Sequence, residues 1–251
     1  SVGPWPWAGE QMEQLVASID AAGPQLQLHD IAYPESKAGD DALRLAFAAA
    51  RGAVISQIPV LAENSADSEA MQSIKAGVMT HPVSGVSCTG QADTSSGFAS
   101  SNSYIASNAS LARVAKGHIA PLVNSDGSIS KQPSIVCVDG LPYPALAISA
   151  LHQASLVGAE GEAQMSARVD SGDDFFGPAK RLTLNGNPGL VIPLDDSGNL
   201  RVSYARHPSS YQAISAVDVL NGSVDLSSLK DSWVLVGATA FGLDDVIPTP
   251  Y

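Results

Sequence analysis

Apolar side chains near the start of the chain recur every three or four residues and then give way to a short apolar run. This spacing over residues 10–22 predicts an amphipathic helix that ends at Gly23-Pro24. Leu26 to Ile31 follow as a predicted strand. The N-terminal end is therefore expected to begin with a helix and a strand.

The same pattern repeats immediately. Asp40-Asp41 predict the first turn of a second helix, in which Leu43 and Phe47 lie on the apolar face and Gly52 marks the end. Residues 53–61 predict the next strand. Helices and strands that alternate in this way are typical of right-handed crossovers and a largely parallel sheet.

The middle of the chain is less regular. Residues 91–110 are dominated by Ser, Ala, Asn, Thr and Gly, a composition that favours a polar surface loop. A turn at Asp126-Gly127 before the apolar run 135–138 indicates a hairpin. Residues 143–157 predict a helix.

The last third predicts short elements and one buried strand. The short strands and a short helix are expected at 182–184, 190–192, 200–204 and 213–220. Residues 233–236 are apolar without polar alternation, which predicts a strand buried on both faces. The small residues 237–242 follow it and let another backbone or a ligand approach closely, and Asp244-Asp245 end this loop.

Together these patterns predict one α/β domain over residues 1–251. Its central sheet is expected to be mixed and partly parallel and flanked by helices, with short antiparallel hairpins added. A chain of this length can bury a large core, and its 45% of apolar residues suffices for one.

The charge excludes some classes of partner. Lys and Arg number 13 against 25 Asp and Glu, which gives a formal charge of -12. Such a surface repels phosphate backbones and anionic lipid headgroups, so we expect no nucleic-acid partner. No apolar stretch approaches the ~20 residues that a membrane span needs.

The chain has two cysteines, Cys88 and Cys137, without a CxxC spacing. They could pair in an oxidising compartment or be small core residues in a reducing one, and the sequence leaves both possibilities open.

Catalytic and metal-binding motifs are weak. Gly85-Val86-Ser87-Cys88-Thr89 departs from the GxSxG elbow of α/β-hydrolases at its last position. The five histidines, His29, His81, His118, His152 and His207, lack a zinc-ligand spacing and are interpreted as surface or core residues. No GxGxxG or Walker loop is present, and we predict no catalytic residue, no cofactor and no metal.

Several segments together resemble the type 2 CHASE domain, a sensory extracellular module associated with cyclases and histidine kinases. Seven segments stand in the order of that family and cover nearly the whole chain: Trp5-Pro6-Trp7, residues 29–33, residues 40–43, Gly117-His118 with residues 124–127, residues 192–194, residues 214–222 and Val234 to Pro250. Two departures concern basic residues, because Ala8-Gly9-Glu10 and Ile129-Ser130-Lys131 stand where members often carry arginines. The first strand of the family pattern is also expected to be missing.

The resemblance implies a domain at the cell membrane on its extracytoplasmic side, without catalytic activity of its own. It would respond to a small-molecule or protein stimulus within a homodimeric membrane-bound receptor. The output would be a cyclase, diguanylate cyclase, histidine kinase or protein kinase reached through flanking membrane helices. An extracytoplasmic hydrolase and a dimerising structural module are the alternative classes.

Ligands of open α/β sheets bind beyond the carboxyl ends of the strands. Asp30 ends one predicted strand, and Thr239 follows another. We therefore predict a ligand site with Asp30, Thr239, Asp244 and Asp245 for a cation or for a ligand that carries hydroxyl or amine groups. Local backbone capping by Asp30 is the competing interpretation.

Overall fold

The computed structural model describes residues 5–61, 74–88, 97–157, 164–172 and 177–237. Four α-helices are present in these ranges: α1 (Gly9–Ala21), α2 (Asp40–Ala49), α3 (Leu146–Leu156) and α4 (Ala216–Asn221). They surround one larger sheet and three small sheets, so the chain is a single α/β domain with a mixed central sheet and short antiparallel hairpins, as the sequence predicts.

The core of the larger sheet is parallel. Its four parallel strands stand in the order β15 (Trp233–Val236), β1 (Leu26–His29), β2 (Ala53–Pro59) and β6 (Ala115–His118). The end of β2 also pairs antiparallel with β5 (Tyr104–Ile105), which pairs parallel with β3 (Lys75–Ala76). The predicted helix–strand alternation therefore gives the predicted parallel arrangement, and the antiparallel pair makes the sheet mixed.

Helices cover both faces of this sheet. The apolar stripe of α1, with Met12 and Val16 buried, packs with α2, α4 and β2 on one face. On the other face Leu146 and Ala150 of α3 pack on Leu26 and Val54. At Gly117 the backbone of β6 lies so close to Leu146 that a Cβ atom would overlap it, which explains a glycine inside this strand.

Three small sheets complete the domain. One consists of β10 (Leu141–Pro144), β9 (Ile135–Val138) and β4 (Ala99–Ser101), and a second of β14 (Asn199–Arg201), β8 (Ile129–Pro133) and β7 (Leu122–Val123). The third consists of β11 (Ala167–Ser171), β12 (Lys180–Leu184) and β13 (Asn187–Leu194). A largely aliphatic cluster that includes Ile135, Leu182 and Leu184 lies beneath them.

The turn at Asp126-Gly127 is confirmed, but it joins β7 to β8. The apolar run 135–138 forms its own hairpin with β10 through Asp139-Gly140, where both residues have positive φ (50° and 80°). The helix predicted from residue 143 begins at Leu146 because Leu141–Pro144 belongs to this second hairpin.

Two further predictions need correction. The polar region 91–110 is described from residue 97, and there it contains β4, β5 and a 3₁₀ turn at Ala109–Leu111 instead of a simple loop. Residues 233–236 do form a strand, but Trp233 is 43% and Leu235 68% exposed. Helix α3 packs on β1 and β2 rather than over β15, so the prediction of burial on both faces is wrong.

Candidate functional site

The carboxyl ends of four parallel strands meet at one edge of the central sheet. In the register of the sheet, His29 lies beside both Val236 and Ile55, and Gln57 lies beside His118. The segments that leave these strands therefore emerge together, which is the arrangement in which open α/β sheets bind ligands.

Asp30 lies at this edge, where β1 and β15 end. Its backbone N–H donates to Val236 O at 2.8 Å, and a Cβ atom placed on Gly237 would lie 3.7 Å from the Asp30 Cβ. Ser56 Oγ donates to His29 O at 3.0 Å and lies 3.4 Å from Asp30 Oδ1. We call Asp30, Ser56 and Gly237 the strand-end corner. Thr239, Asp244 and Asp245 lie outside the described residues.

A buried polar layer lies on the sheet face that packs against α1 and α2. Each of its five residues is at least 99% buried: Gln27, His29, Gln57, Lys116 and His118. Side chains alternate along a strand, so this set shares its face with the apolar Ile55. Gln27 links the layer to α1, because its Nε2 donates to Val16 O at 3.1 Å.

Lys116 lies at the centre of the best-connected part of the layer. Its Nζ donates to Leu111 O at 2.7 Å and to Thr80 Oγ1 at 2.8 Å. In the part of the chain that the structure describes, no carboxylate lies within ion-pair distance of this amine. Burial therefore lowers the pKa of Lys116 to about 7.

The segment at Thr80-His81 covers Lys116. Gln57 fixes it through its side-chain amide, which accepts from Thr80 N at 3.4 Å and donates to Thr80 O at 3.3 Å. His81 has a positive φ of 63°, and its Nδ1 lies 2.9 Å from Thr80 Oγ1. Burial, with a smaller contribution from the charge of Lys116, lowers the pKa of His81 to about 4.

His29 and His118 are fully buried, and burial lowers the pKa of each to about 3. His29 Nε2 lies 3.3 Å from Gln27 Oε1, whereas His29 Nδ1 and both ring nitrogens of His118 have no hydrogen-bond partner within the described part of the chain. Both rings are therefore neutral near pH 7. His118 is an unpaired polar group in the interior, which is rare in folded proteins.

A cavity of about 270 Å³ opens beside the end of β1. The segment 5–7, the loop 31–37 and the first turns of α1 and α2 surround it. The two helices begin close together because Gly9 and Gly39 lie in contact, and a Cβ atom on either would overlap the other segment. The sequence thus brings two helix starts and the loop after β1 to one opening.

Asn108 holds the loop that forms one wall of this cavity. Its side-chain Nδ2 donates to Tyr33 O at 3.2 Å, Glu35 O at 3.1 Å and Asp40 Oδ2 at 3.0 Å. Asp40 Oδ2 also accepts from Lys37 N at 2.8 Å. Asn108 is buried, so the loop is fixed from the interior of the protein.

The family model described as CHASE2 domain matches residues 1–251. The chain belongs to the CHASE2 family. No curated protein and no solved structure matches it. CHASE2 domains are sensory extracellular domains and not catalytic ones, so the domain has a sensory role. Among the described residues, no helix is long and apolar enough to span a membrane.

The cysteines of this CHASE2 domain are joined in a disulfide. Cys88 and Cys137 are bonded with a Cα–Cα distance of 5.8 Å. Of the two possibilities left open by the sequence, the paired one is therefore correct. Structural disulfides persist in oxidising compartments, which agrees with the extracytoplasmic placement of CHASE2 domains.

Sequence reasoning placed Asp30 at the strand end but missed the residues behind it. Gln57 escaped notice because it is a polar residue in a predicted strand that is mostly apolar, and Lys116 because no strand was predicted at residues 115–118. Asn108 lies in the region interpreted as a surface loop, and its partners are more than 65 residues away along the chain. The one available signal was a polar residue inside a strand predicted to be buried, because a polar group is costly to bury unless it is hydrogen-bonded.

Proposed function

We propose that this CHASE2 domain binds a stimulus outside the cytoplasmic membrane and controls the output of a membrane-bound, homodimeric receptor. The output would be a cyclase, a diguanylate cyclase, a histidine kinase or a protein kinase, reached through flanking membrane helices. A ligand would act by preferring one of two arrangements of those helices, since only differential affinity shifts such an equilibrium.

One observation carries this proposal: the parallel strands end together at a polar edge with a cavity beside it. Asp30 and Gly237 meet there as the open-sheet rule requires, and the loop after β1 leads from Asp30 into the cavity wall. In the proposal Asp30, Thr239, Asp244 and Asp245 contact the ligand through oxygen atoms. Neither a metal nor a cofactor is invoked.

The edge also suits the transmission of a signal. Asp30 N and Val236 O are bonded directly, so a ligand that moves the start of the 31–37 loop also acts on the end of β15. The chain continues from β15 towards Thr249-Pro250. In this proposal, a shift at the strand-end corner passes into the segment that leads to the next membrane helix.

The first test asks on which side of the membrane the domain lies. In the intact receptor, Ser36→Cys places a thiol at an exposed position near the cavity. We expect a membrane-impermeant maleimide to label it in spheroplasts, while a cysteine placed in the output domain reacts only after lysis. Labelling of Ser36→Cys only after lysis would contradict the proposal.

The second test asks whether the strand-end corner affects the output. The double variant Asp30→Asn and Asp245→Asn removes two carboxylates while nearly keeping the side-chain volumes. We expect a changed basal output of the receptor in membranes, with Asp196→Asn as the matched variant at an exposed site between β13 and β14. Unaltered output from a normally folded double variant would show that the strand-end corner has no role in signalling.

A further inference from the structure

The cavity beside β1 has walls that suit a cation. Trp5, Trp7 and Tyr33 line it, and the rings of Trp5 and Trp7 lie 5.6 Å apart at an interplanar angle of 67°. Aromatic faces attract ammonium groups through the ring quadrupole, most strongly where water is excluded. Aromatic residues make up only 6% of the sequence, yet three of them line this one cavity.

Charged groups at the cavity are predominantly acidic. Glu35 and Asp40 line it together with Lys37. The backbone N–H groups at a helix start would favour an anion, but Glu10 on α1 and Asp40-Asp41 on α2 already place carboxylates at both starts. An anionic ligand would face these carboxylates, whereas a cationic ligand would be attracted by them.

A buried hydroxyl marks the interior side of the cavity wall. Tyr33 lines the cavity, and its hydroxyl is buried without a hydrogen-bond partner among the described residues. In the same described ranges His29 Nδ1 has no partner either. The rings of Tyr33 and His29 pack against Phe47, with centroid distances of 6.4 Å for Tyr33 and 4.9 Å for His29. Buried polar groups of this kind are costly unless something bonds to them.

We propose that this cavity binds a small organic amine. The rings of Trp5, Trp7 and Tyr33 would surround the ammonium group, and Glu35 and Asp40 would balance its charge. This inference rests on the proposed sensory function and adds the chemical class of the stimulus. It adds a second binding site next to the strand-end corner, because the loop 31–37 that follows Asp30 forms part of the cavity wall.

Tryptophan fluorescence tests the inference directly. The chain has three tryptophans, so the variant Trp233→Phe leaves emission from Trp5 and Trp7 alone. We would titrate the folded chain with 2-phenylethylamine and, separately, with 2-phenylethanol, its neutral isostere. We expect a saturable emission change with the amine and at least about tenfold weaker binding of the alcohol, because it lacks the charge.

Two variants locate the binding. Tyr33→Leu should weaken amine binding about five- to tenfold through loss of one aromatic ring, while Tyr211→Leu at an exposed position should not. Glu35→Gln should weaken it about two- to threefold, while Asp196→Asn should not. Because Glu35 is exposed, its variant tests the site even if Tyr33→Leu fails to fold.

Three results would overturn the inference: no saturable binding by the folded chain, equal binding of amine and alcohol, or amine binding that neither Tyr33→Leu nor Glu35→Gln changes. These failures are separate from failure of the proposed function. If the chain binds no amine but the receptor passes the labelling and output tests, only the proposed ligand class is wrong. Amine binding in a receptor labelled only after lysis contradicts the function instead.

Discussion

The two halves of the domain bury different kinds of side chain. The sheet half, residues 5–118 together with α4 and β15, contains the buried polar layer, and all six unpaired buried polar side-chain atoms found in the described residues lie there. The hairpin half, residues 122–201, is built on aliphatic side chains such as Leu182. Its buried polar residues Ser128, Ser134, Ser149 and Asn199 are hydrogen-bonded; Ser134 Oγ, for example, donates to Gly198 O at 2.6 Å.

This difference separates what stabilises the fold from what the fold presents to a ligand. An unpaired buried polar group costs about 1–3 kcal/mol, so the groups around His29 and His118 do not serve stability. Groups that lower the stability of a fold are expected at functional sites, because the requirements of function there conflict with those of tight packing. We infer that the sheet half receives the stimulus and that the hairpin half supports it.

The largest expected effect is the loss of stability in acid. The pKa of His29 and of His118 is lowered to about 3 in the folded chain from 6.5 in the unfolded one. The unfolded chain therefore binds more protons between these values, and stability falls as the pH falls below 6.5. At about 1.4 kcal/mol per pH unit for each ring, the loss between pH 6.5 and pH 4 is on the order of 6 kcal/mol.

Urea unfolding at several pH values measures this loss. The pKa of His81 is lowered as well, to about 4, so the variant His118→Leu should remove about a third of the pH dependence that the three rings produce, and His207→Leu at an exposed position should leave it unchanged. An unchanged slope in His118→Leu would show that the buried ring is not the source of the acid sensitivity.

A smaller effect is expected from the hairpin half. Leu182 is fully buried in its aliphatic cluster, so Leu182→Ala should lower the free energy of unfolding by about 2–5 kcal/mol through lost burial and a new cavity. The pH dependence below pH 6.5 should stay as it is, because no titrating group changes. A changed acid slope, measured by the same urea titrations, would contradict the separation of the two halves.

The smallest of these effects concerns Lys116. Its pKa is lowered to about 7 from 10.5, so the unfolded chain binds more protons between these values and stability rises as the pH rises from 7 towards 10.5. We expect the chain to gain about 2 kcal/mol from this group between pH 7 and pH 9.

The variant Lys116→Met should abolish this rise in urea titrations, whereas Lys230→Met at an exposed position should keep it. The same rise in Lys116→Met as in the unchanged chain would show that another group titrates in this range.

Local patterns predicted the first four elements of the sheet half but not β3, β4, β5 or β6. Helices α1 and α2 follow from apolar residues at helical spacing, and β1 and β2 from apolar runs. The hairpins were harder because two Asp-Gly turns occur close together, and the pairing of β9 with β10 through Asp139-Gly140 could be chosen only once the strands had partners. Exposure of Leu235 likewise depends on where α3 packs, which no local pattern contains.

The candidate site was only partly predictable for the same reason. The open-sheet rule placed Asp30 and Gly237 together because it depends only on strand order and direction. The wall of the cavity depends instead on Asn108, which joins segments distant along the chain, and on a cluster of rings from separate segments. Such long-range contacts have no signature in one sequence.

Amide hydrogen exchange of the folded chain with and without 2-phenylethylamine tests the assignment of sensing to the sheet half most directly. The account predicts slower exchange in residues 31–40 and in the first turns of α1 and α2 when the amine is present, with β12 and β13 unchanged. Slower exchange confined to residues 122–201, or no change at saturating amine, would contradict it.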